Sequence, residues 1–198
     1  MNVPAPDHAQ RASRAKLLLI TAVFAAPIIA AAILTVSGWQ PQGKGNGLPI
    51  MPQRNFVAEP VTVKLADGSA YAWRDTQPRL TLIALVGPGC AARCVDTLTK
   101  MAAARVTLAR NMPRLRLLLL GTPPANEPVK DGRVALGANP DASYLLGSDV
   151  DGKLAAFAPT TPDSVSAVLV ESNGTALSLY PAGFDTTGLR KDLQKVIR

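Results

Sequence analysis

The residues best suited to chemistry are the two cysteines, Cys90 and Cys94, in the segment GPGCAARC at residues 87–94. They lie where an apolar run gives way to a helical pattern, so unpaired backbone N–H groups and the positive end of a helix dipole are expected beside them. Those donors and the charge of Arg93 favour a thiolate, the reactive form of cysteine. One helical turn places the two Cα atoms about 6 Å apart, within reach of a disulfide.

Several functions fit this pair of sulfurs. It can perform thiol–disulfide exchange, with Cys90 as the attacking thiol and Cys94 as the resolving thiol, or hold Cu(I) between two thiolates. It can equally be a static disulfide that joins strand to helix, or two buried core cysteines. Met101, two turns beyond Cys94, carries a thioether that can ligate copper, although such residues more commonly fill the core.

Apolar runs predict the strands that would position the cysteines. Leu80–Val86 (LTLIALV) and Leu115–Leu120 (LRLLLL) are continuous apolar runs of strand length, which are typical of strands covered on both faces. Between them, apolar positions at steps of three and four predict a helix from about Cys94 to Asn111. Val165–Val170 and Thr175–Tyr180 flank an Asn-Gly pair, which predicts a β-hairpin.

The remaining elements complete a fold prediction. Val61–Leu65 and Tyr71–Trp73 flank an Asp-Gly pair and predict a first hairpin. Residues 131–157 are weakly patterned, which indicates a short helix and loops, and residues 185–197 predict a closing helix. Because a helix between two buried strands implies a parallel pair, the order indicates an α/β, thioredoxin-like domain over residues 61–198 with an N-terminal β-hairpin extension.

The N-terminal part predicts a membrane anchor. Leu17–Val36 contains 20 residues without a charge, and a helix of that length covers about 30 Å, the thickness of a bilayer's hydrocarbon layer. Arg11, Arg14 and Lys16 precede it, so the positive-inside rule predicts a cytoplasmic tail over residues 1–16, one transmembrane helix over 17–37 and a periplasmic domain. A cleaved signal peptide is the alternative, but its apolar region would be shorter. Residues 38–60 are rich in glycine and proline, which predicts a tether.

Composition limits the possible partners. The chain has 198 residues, of which 5% are aromatic, and a formal charge of +7. Its basic residues are scattered and do not alternate with aromatic residues, so the pattern does not favour nucleic-acid binding. The only histidine is His8, near the N-terminus. No Ser-His-Asp or Cys-His catalytic set is therefore expected in the C-terminal domain.

The segment from Leu80 to Cys94 resembles the Sco-type proteins of cytochrome c oxidase assembly, which are membrane-anchored thioredoxin folds with C-x-x-x-C at this junction. The SGW that follows the apolar run and the ending GLRKDL at residues 188–193 are similar to short bacterial proteins of cytochrome oxidase biogenesis. This resemblance implies a role in oxidase assembly, with an oxidase subunit or assembly factor as partner and copper as a possible ligand of Cys90 and Cys94.

The chain departs from the Sco pattern in two respects. Val95 stands where Sco proteins carry proline, and the region of their distal copper-ligating histidine reads TPDS at residues 161–164. There Asp163 offers only a hard oxygen, which is a poor ligand for Cu(I). Pro162 is the candidate for the cis-proline that thioredoxin folds place beside the cysteines. Two hypotheses follow: a factor that works by thiol–disulfide exchange or Cu(I) handling, and a non-catalytic scaffold that binds an oxidase subunit and keeps a structural disulfide.

Overall fold

The computed structural model describes residues 8–36, 45–125, 127–136 and 139–197. The chain divides into two compact units, Met1–Lys44 and Gly45–Arg198. Among the described residues, the first unit holds one helix, and the second holds a mixed sheet with two α-helices and three short 3-10 helices. Residues 37–44, which include the start of the predicted tether, lie outside the described residues.

The helix of the first unit, α1, spans His8–Val36 and has Pro27 inside it. It begins well before the predicted transmembrane segment at residue 17 and takes in Arg11, Arg14 and Lys16. Across the residues that the structure describes, none of the helices combines the length and the apolar character that crossing a bilayer requires. The structure therefore does not support the prediction of a membrane-spanning segment over residues 17–37.

The second unit is built on one nine-stranded sheet in the described part of the chain. Its strands follow the order β1-β9-β8-β3-β4-β7-β6-β5, and β2 pairs with β7 off this path. The contacts of β3 with β4 and of β4 with β7 are parallel, and the other pairings are antiparallel. The strands are β1 (Leu48–Pro49), β2 (Val63–Leu65), β3 (Leu80–Val86), β4 (Leu115–Leu120), β5 (Val129–Lys130), β6 (Arg133–Ala135), β7 (Ser143–Asp149), β8 (Val165–Val170) and β9 (Ala176–Tyr180).

Two helices cover one face of this sheet. These are α2 (Ala92–Val106), which connects β3 to β4, and α3 (Thr186–Val196), which follows β9. Side chains alternate between the two faces of a strand, and Leu82 and Ala84 of β3 point into the core beneath α2 and α3. The order β4-β3-β8-β9, with β3 and β4 parallel and the β8–β9 hairpin antiparallel to β3, is the strand arrangement of the thioredoxin fold.

The opposite face of the sheet is covered mainly by the chain that precedes β3, together with Leu154 and Phe157 from the segment before β8. Ile83 and Leu85 of β3 join a second core with Phe56, Trp73 and other apolar side chains of residues 50–73. Phe56 and Trp73 pack edge to face with ring centroids 5.1 Å apart, and the Trp73 indole N–H donates to the Val61 carbonyl at 2.7 Å. Residues 45–60, predicted as part of a tether over 38–60, therefore belong to the folded body.

Several predicted elements differ in detail. The helix after the cysteines ends at Val106 instead of continuing to residue 111, because Ala109 adopts a φ of +49° and a 3-10 helix, Ala109–Arg114, follows. The first hairpin keeps its Asp-Gly turn and one bridge between Lys64 and Ala70, but β2 pairs mainly with β7. The region 131–157, predicted as a short helix and loops, contains the strands β6 and β7 and two short 3-10 helices, Pro140–Ala142 and Ala155–Phe157.

A buried carboxylate joins α3 to the segment that leads into β1. Asp192, only 5% exposed, accepts hydrogen bonds from the Asn46 backbone N–H at 2.6 Å and from the Asn46 side-chain amide at 3.0 Å. It also accepts from the Gly47 N–H at 3.3 Å and from the Tyr180 hydroxyl at 3.1 Å. Four donors from two segments thus satisfy one buried side chain, as a buried charge requires.

Replacing Asp192 with alanine is expected to lower the free energy of unfolding by about 2–4 kcal/mol, because the change strands several buried donors that converge on this carboxylate. Urea denaturation of the full chain, followed by tryptophan fluorescence, measures the loss. Asp96→Ala is the matched control, since Asp96 is an exposed helical aspartate paired only with Lys100, and it should cost less than about 0.5 kcal/mol. Equal losses in the two variants would contradict this role of Asp192.

Candidate functional site

The two cysteines form a disulfide at the junction of β3 and α2, with their Cα atoms 5.2 Å apart. Cys94 lies in the first turn of α2 and is fully buried, whereas Cys90 lies in the preceding loop and is half-buried. The sequence therefore placed the pair correctly at the strand–helix junction. One sulfur-bearing residue faces the surface and the other faces the core.

The loop that carries Cys90 is held against the segment that precedes β8. The ladder of β3 and β8 ends at Val86 and Val165, and two further backbone hydrogen bonds extend it: Gly87 N–H to the Ser164 carbonyl at 2.9 Å and Asp163 N–H to the Pro88 carbonyl at 3.0 Å. Gly87 is required at this approach, because a Cβ atom there would lie 2.6 Å from the Thr161 carbonyl oxygen. The two loops thus meet with little space between their backbones.

Asp163 supplies the N-terminal cap of α2 from this neighbouring loop. Its Oδ1 accepts the backbone N–H groups of Ala91 at 2.8 Å and Cys94 at 2.9 Å. Its Oδ2 accepts the Arg93 N–H at 3.2 Å and the Arg93 Nε at 3.4 Å. The residue at the N-cap position is Ala91, which has no side-chain oxygen to offer, so a residue distant in sequence satisfies these helix donors instead.

The charge state of Asp163 follows from these contacts. The backbone N–H of Cys94 makes the largest contribution to lowering the pKa of the Asp163 carboxyl, and the N–H groups of Ala91 and Arg93 lower it further. The carboxyl is therefore ionised at neutral pH. Asp163 also has a φ of +52°, a left-handed conformation that is uncommon for non-glycine residues and is found at functional sites.

This cap changes the electrostatics expected for the cysteines. The sequence indicated that helix donors and Arg93 would stabilise a thiolate, yet an anion already occupies those donors. A neighbouring negative charge disfavours a second anion, and Arg93, with 79% of its side chain exposed, offsets it only weakly. From the sequence alone, Asp163 stands out only as a poor copper ligand. The lack of a capping side chain at Ala91 was the one signal that a distant cap was needed.

A groove of about 420 Å³ adjoins this site. Its walls come from the first turns of α2, the loop before β8 and the turn after β9. The α2 wall carries the charged side chains of Arg93 and Asp96, and the wall from the loop before β8 carries both the charged Asp163 and the apolar Pro162. The side chains that line the groove include Arg93, Asp96, Pro162, Asp163, Val165 and Phe184.

Two further residues named from the sequence are Met101 and His8. Met101 is fully buried in the core under α2, and His8 belongs to α1 of the first unit. In the described residues, no group of three or more His, Cys, Asp or Glu side chains could hold a metal ion. The described part of the chain has one cis peptide bond, Met51–Pro52, so the bond before Pro162 is trans.

Comparison with known proteins gives similarity to solved structures only. No protein-family model matches the sequence, and no curated protein does. Arabidopsis thaliana ScoI with copper bound shares 15% identity with a TM-score of 0.46, over 78% of this chain and 99% of its own. Xanthomonas campestris peroxiredoxin Q shares 11% with a TM-score of 0.46, over 76% and 97%.

The exposed lipoprotein thioredoxin Etrx1 of Streptococcus pneumoniae shares 11% identity with a TM-score of 0.44, over 68% of this chain and 97% of its own. These scores are too low to assign a family. The strand order, the parallel β3-α2-β4 unit, the β8–β9 hairpin followed by α3, and a disulfide at the β3–α2 junction establish a thioredoxin-like fold.

Proposed function

We propose that the chain is a thiol–disulfide exchange protein that acts through Cys90 and Cys94. The observation that carries this proposal is the asymmetry of the disulfide: Cys94 is fully buried, Cys90 is partly exposed, and both lie at the start of a helix. Exchange requires one sulfur that a partner can reach and a second that attacks only from within. A groove beside the pair provides a surface on which a client polypeptide can lie.

The reaction is proposed to run in the reducing direction. The Cys90 thiolate attacks one sulfur of a client disulfide, forming a mixed disulfide and releasing the other client sulfur as a thiolate that takes up a proton. The Cys94 thiolate then attacks the Cys90 sulfur, which closes the Cys90–Cys94 disulfide and releases the second client thiol. Two electrons pass from the pair to the client, and a separate protein dithiol reduces the pair again by the same exchange.

The charge at the site supports this direction. Asp163 places a carboxylate on the N–H group of Cys94, so forming thiolates at the pair is costly and the disulfide is favoured. A pair whose disulfide is favoured is a reductant towards other disulfides.

We propose that the client is a cytochrome c oxidase subunit or assembly factor and that the domain lies in the periplasm. The oxidase partner is supported by the sequence resemblance of residues 80–94 to the Sco-type proteins. The compartment is supported by the disulfide, because such bonds persist in oxidising spaces and are rare in the cytosol.

Few side chains near the cysteines could ligate a copper ion. Apart from the two sulfurs, Asp163 is the nearest candidate, and three backbone N–H groups already occupy its oxygens. The residues fit only a two-sulfur Cu(I) site in the reduced protein. Titrating the reduced chain with Cu(I), alongside a variant with both cysteines changed to serine, tests that site directly.

A scaffold with a structural disulfide is the second candidate, favoured by the complete burial of Cys94. Thiol–disulfide exchange requires the two sulfurs to react, whereas a scaffold requires the disulfide only to stay closed. Replacing both cysteines with serine would preserve oxidase assembly if the chain is a scaffold and would abolish its contribution if exchange is the function.

Cys94→Ser is expected to trap a mixed disulfide between Cys90 and the client, because the thiol that resolves this intermediate is gone. Non-reducing electrophoresis of the purified full chain, after incubation with oxidase subunits in the disulfide form, measures the trapped species. Cys90→Ser is the matched control and should trap far less, since its remaining thiol is buried. Equal trapping by the two variants, or none by either, would refute the assigned roles.

Asp163→Asn is expected to make the Cys90–Cys94 disulfide easier to reduce. The amide oxygen can still accept from Ala91 and Cys94, but the negative charge that opposes a thiolate is removed. The midpoint potential should therefore become more positive, on the order of tens of millivolts, and the pKa of the accessible thiol should fall. Equilibration with glutathione measures the potential, and alkylation rate against pH measures the thiol pKa.

Asp96→Asn is the charge-matched control for this experiment. Asp96 lies in the same helix, is exposed and pairs with Lys100 at 2.7 Å, so its loss should shift the potential much less. A more negative potential in Asp163→Asn, or equal shifts in the two variants, would show that the cap does not act on the sulfurs.

A further inference from the structure

A pocket of about 240 Å³ lies among the elements that meet at the start of β3, away from the cysteines at its other end. Four arginine side chains line it, with Ser143 and three apolar residues, and the lining in the described chain includes no acidic side chain. The arginines come from different elements: the residue before β3, the last turn of α2, β4 and β6. They are Arg79, Arg105, Arg116 and Arg133.

The pairing of these four charges is incomplete. One carboxylate, that of Asp75, serves two of them: its Oδ2 lies 2.5 Å from Arg116 Nη2 and 3.6 Å from Arg79 Nη1. Arg105 instead donates from Nε to the neutral carbonyl of Leu115 at 2.6 Å. Neutral carbonyls satisfy donors of a guanidinium but leave its charge uncompensated.

The positive charges of two of the guanidinium groups, those of Arg105 and Arg133, also repel each other. Burial makes the largest contribution to lowering the pKa of Arg105, the positive charge of Arg133 lowers it further, and only Asp141 acts in the opposite direction. Arg133 is exposed, and its side-chain hydrogen bond to the Ser143 hydroxyl is long, at 3.5 Å. The fold therefore holds like charges close together with few counter-charges, which an anion between them would relieve.

We infer that this pocket is a binding site for a phosphate-bearing anion. Guanidinium groups bind phosphate oxygens through paired, charge-assisted hydrogen bonds, and the Ser143 hydroxyl adds a further donor. Pro113, Leu117 and Leu145 line the remaining walls and can contact an apolar portion of the same ligand. The seven residues of β3 separate this pocket from the cysteines by about 20 Å, so the inference is independent of the proposed exchange reaction.

Two sources offer this chemistry: a soluble phosphate ester and the headgroup of an anionic phospholipid. Calorimetric titration of the full chain with inorganic phosphate and pyrophosphate, against chloride at equal ionic strength, tests the first source. Co-sedimentation with vesicles of equal parts phosphatidylglycerol and phosphatidylcholine, against phosphatidylcholine alone, tests the second. Saturable binding of either the soluble anions or the anionic vesicles supports the site and identifies its source.

Arg133→Gln is the decisive variant, because Arg133 is exposed and holds no backbone carbonyl in place, unlike Arg105. It should weaken binding about tenfold, the effect of losing one charge-assisted contact. Arg79→Gln should do the same and provides a second, independent variant. Arg190→Gln on α3 removes an equal charge from outside the pocket and should leave binding unchanged.

Two results would overturn the inference. The first is that neither the phosphates nor the anionic vesicles bind beyond the chloride and phosphatidylcholine controls. The second is that Arg190→Gln weakens binding as much as Arg133→Gln, which would mean that the overall positive charge and not the pocket attracts anions. Thermal melting of each variant, without ligand, verifies that the fold is retained.

Discussion

The burial of β3 on every side is the constraint on which the second unit depends. This strand pairs with β4 along one edge and β8 along the other, and its side chains alternate into two separate cores. The middle of β3 is therefore not exposed to solvent. It cannot accommodate a polar side chain that lacks a hydrogen-bond partner. Reactive or ligand-binding side chains can therefore lie only at the two ends of β3. The cysteines lie at one end and the arginine pocket at the other.

Covering the second face of this strand explains the unusual role of the segment before it. Between β4 and β8 the chain forms β5, β6 and β7 and, in its described part, no α-helix, so residues 50–73 provide the apolar cover with Phe56, Tyr71 and Trp73. The Tyr71 hydroxyl and Thr81 hydroxyl satisfy each other at 2.6 Å. Asp192 then fixes the start of that cover to α3.

The elements that were predicted correctly are those whose sequence pattern is compatible with only one type of secondary structure. Leu80–Val86, Leu115–Leu120 and Val165–Val170 occur with the predicted bounds, because a short, uninterrupted apolar run flanked by turn residues suits a buried strand. The cysteine pair was located for a related reason: it follows such a run and opens a helical pattern. The α/β, thioredoxin-like arrangement followed from this order.

What could not be predicted depends on partners distant in sequence. In β7, Tyr144 and Leu146 are buried, but their neighbours are only partly covered, so the pattern is weak until β4 and β2 lie beside it. Residues 45–60 read as a tether because glycine and proline are frequent, and only the contacts of Ile50 and Phe56 show that they are folded. The cap from Asp163 joins residues about 70 positions apart, which no local pattern encodes.

That cap also determines how the two interpretations of the disulfide relate to each other. The backbone donors at the start of α2 can stabilise an anion, and the Asp163 carboxylate and a Cys94 thiolate would draw on the same N–H group. With the disulfide closed there is no thiolate, and the carboxylate occupies the donors without opposition. Opening the disulfide creates a thiolate that competes with the carboxylate for this N–H group, so the fold opposes reduction. In a scaffold, this effect would keep the Cys90–Cys94 disulfide closed. In an exchange protein, it would make the reduced cysteine pair a strong reductant of client disulfides. The same carboxylate serves both functions, and the accessibility of Cys90 to a partner decides between them.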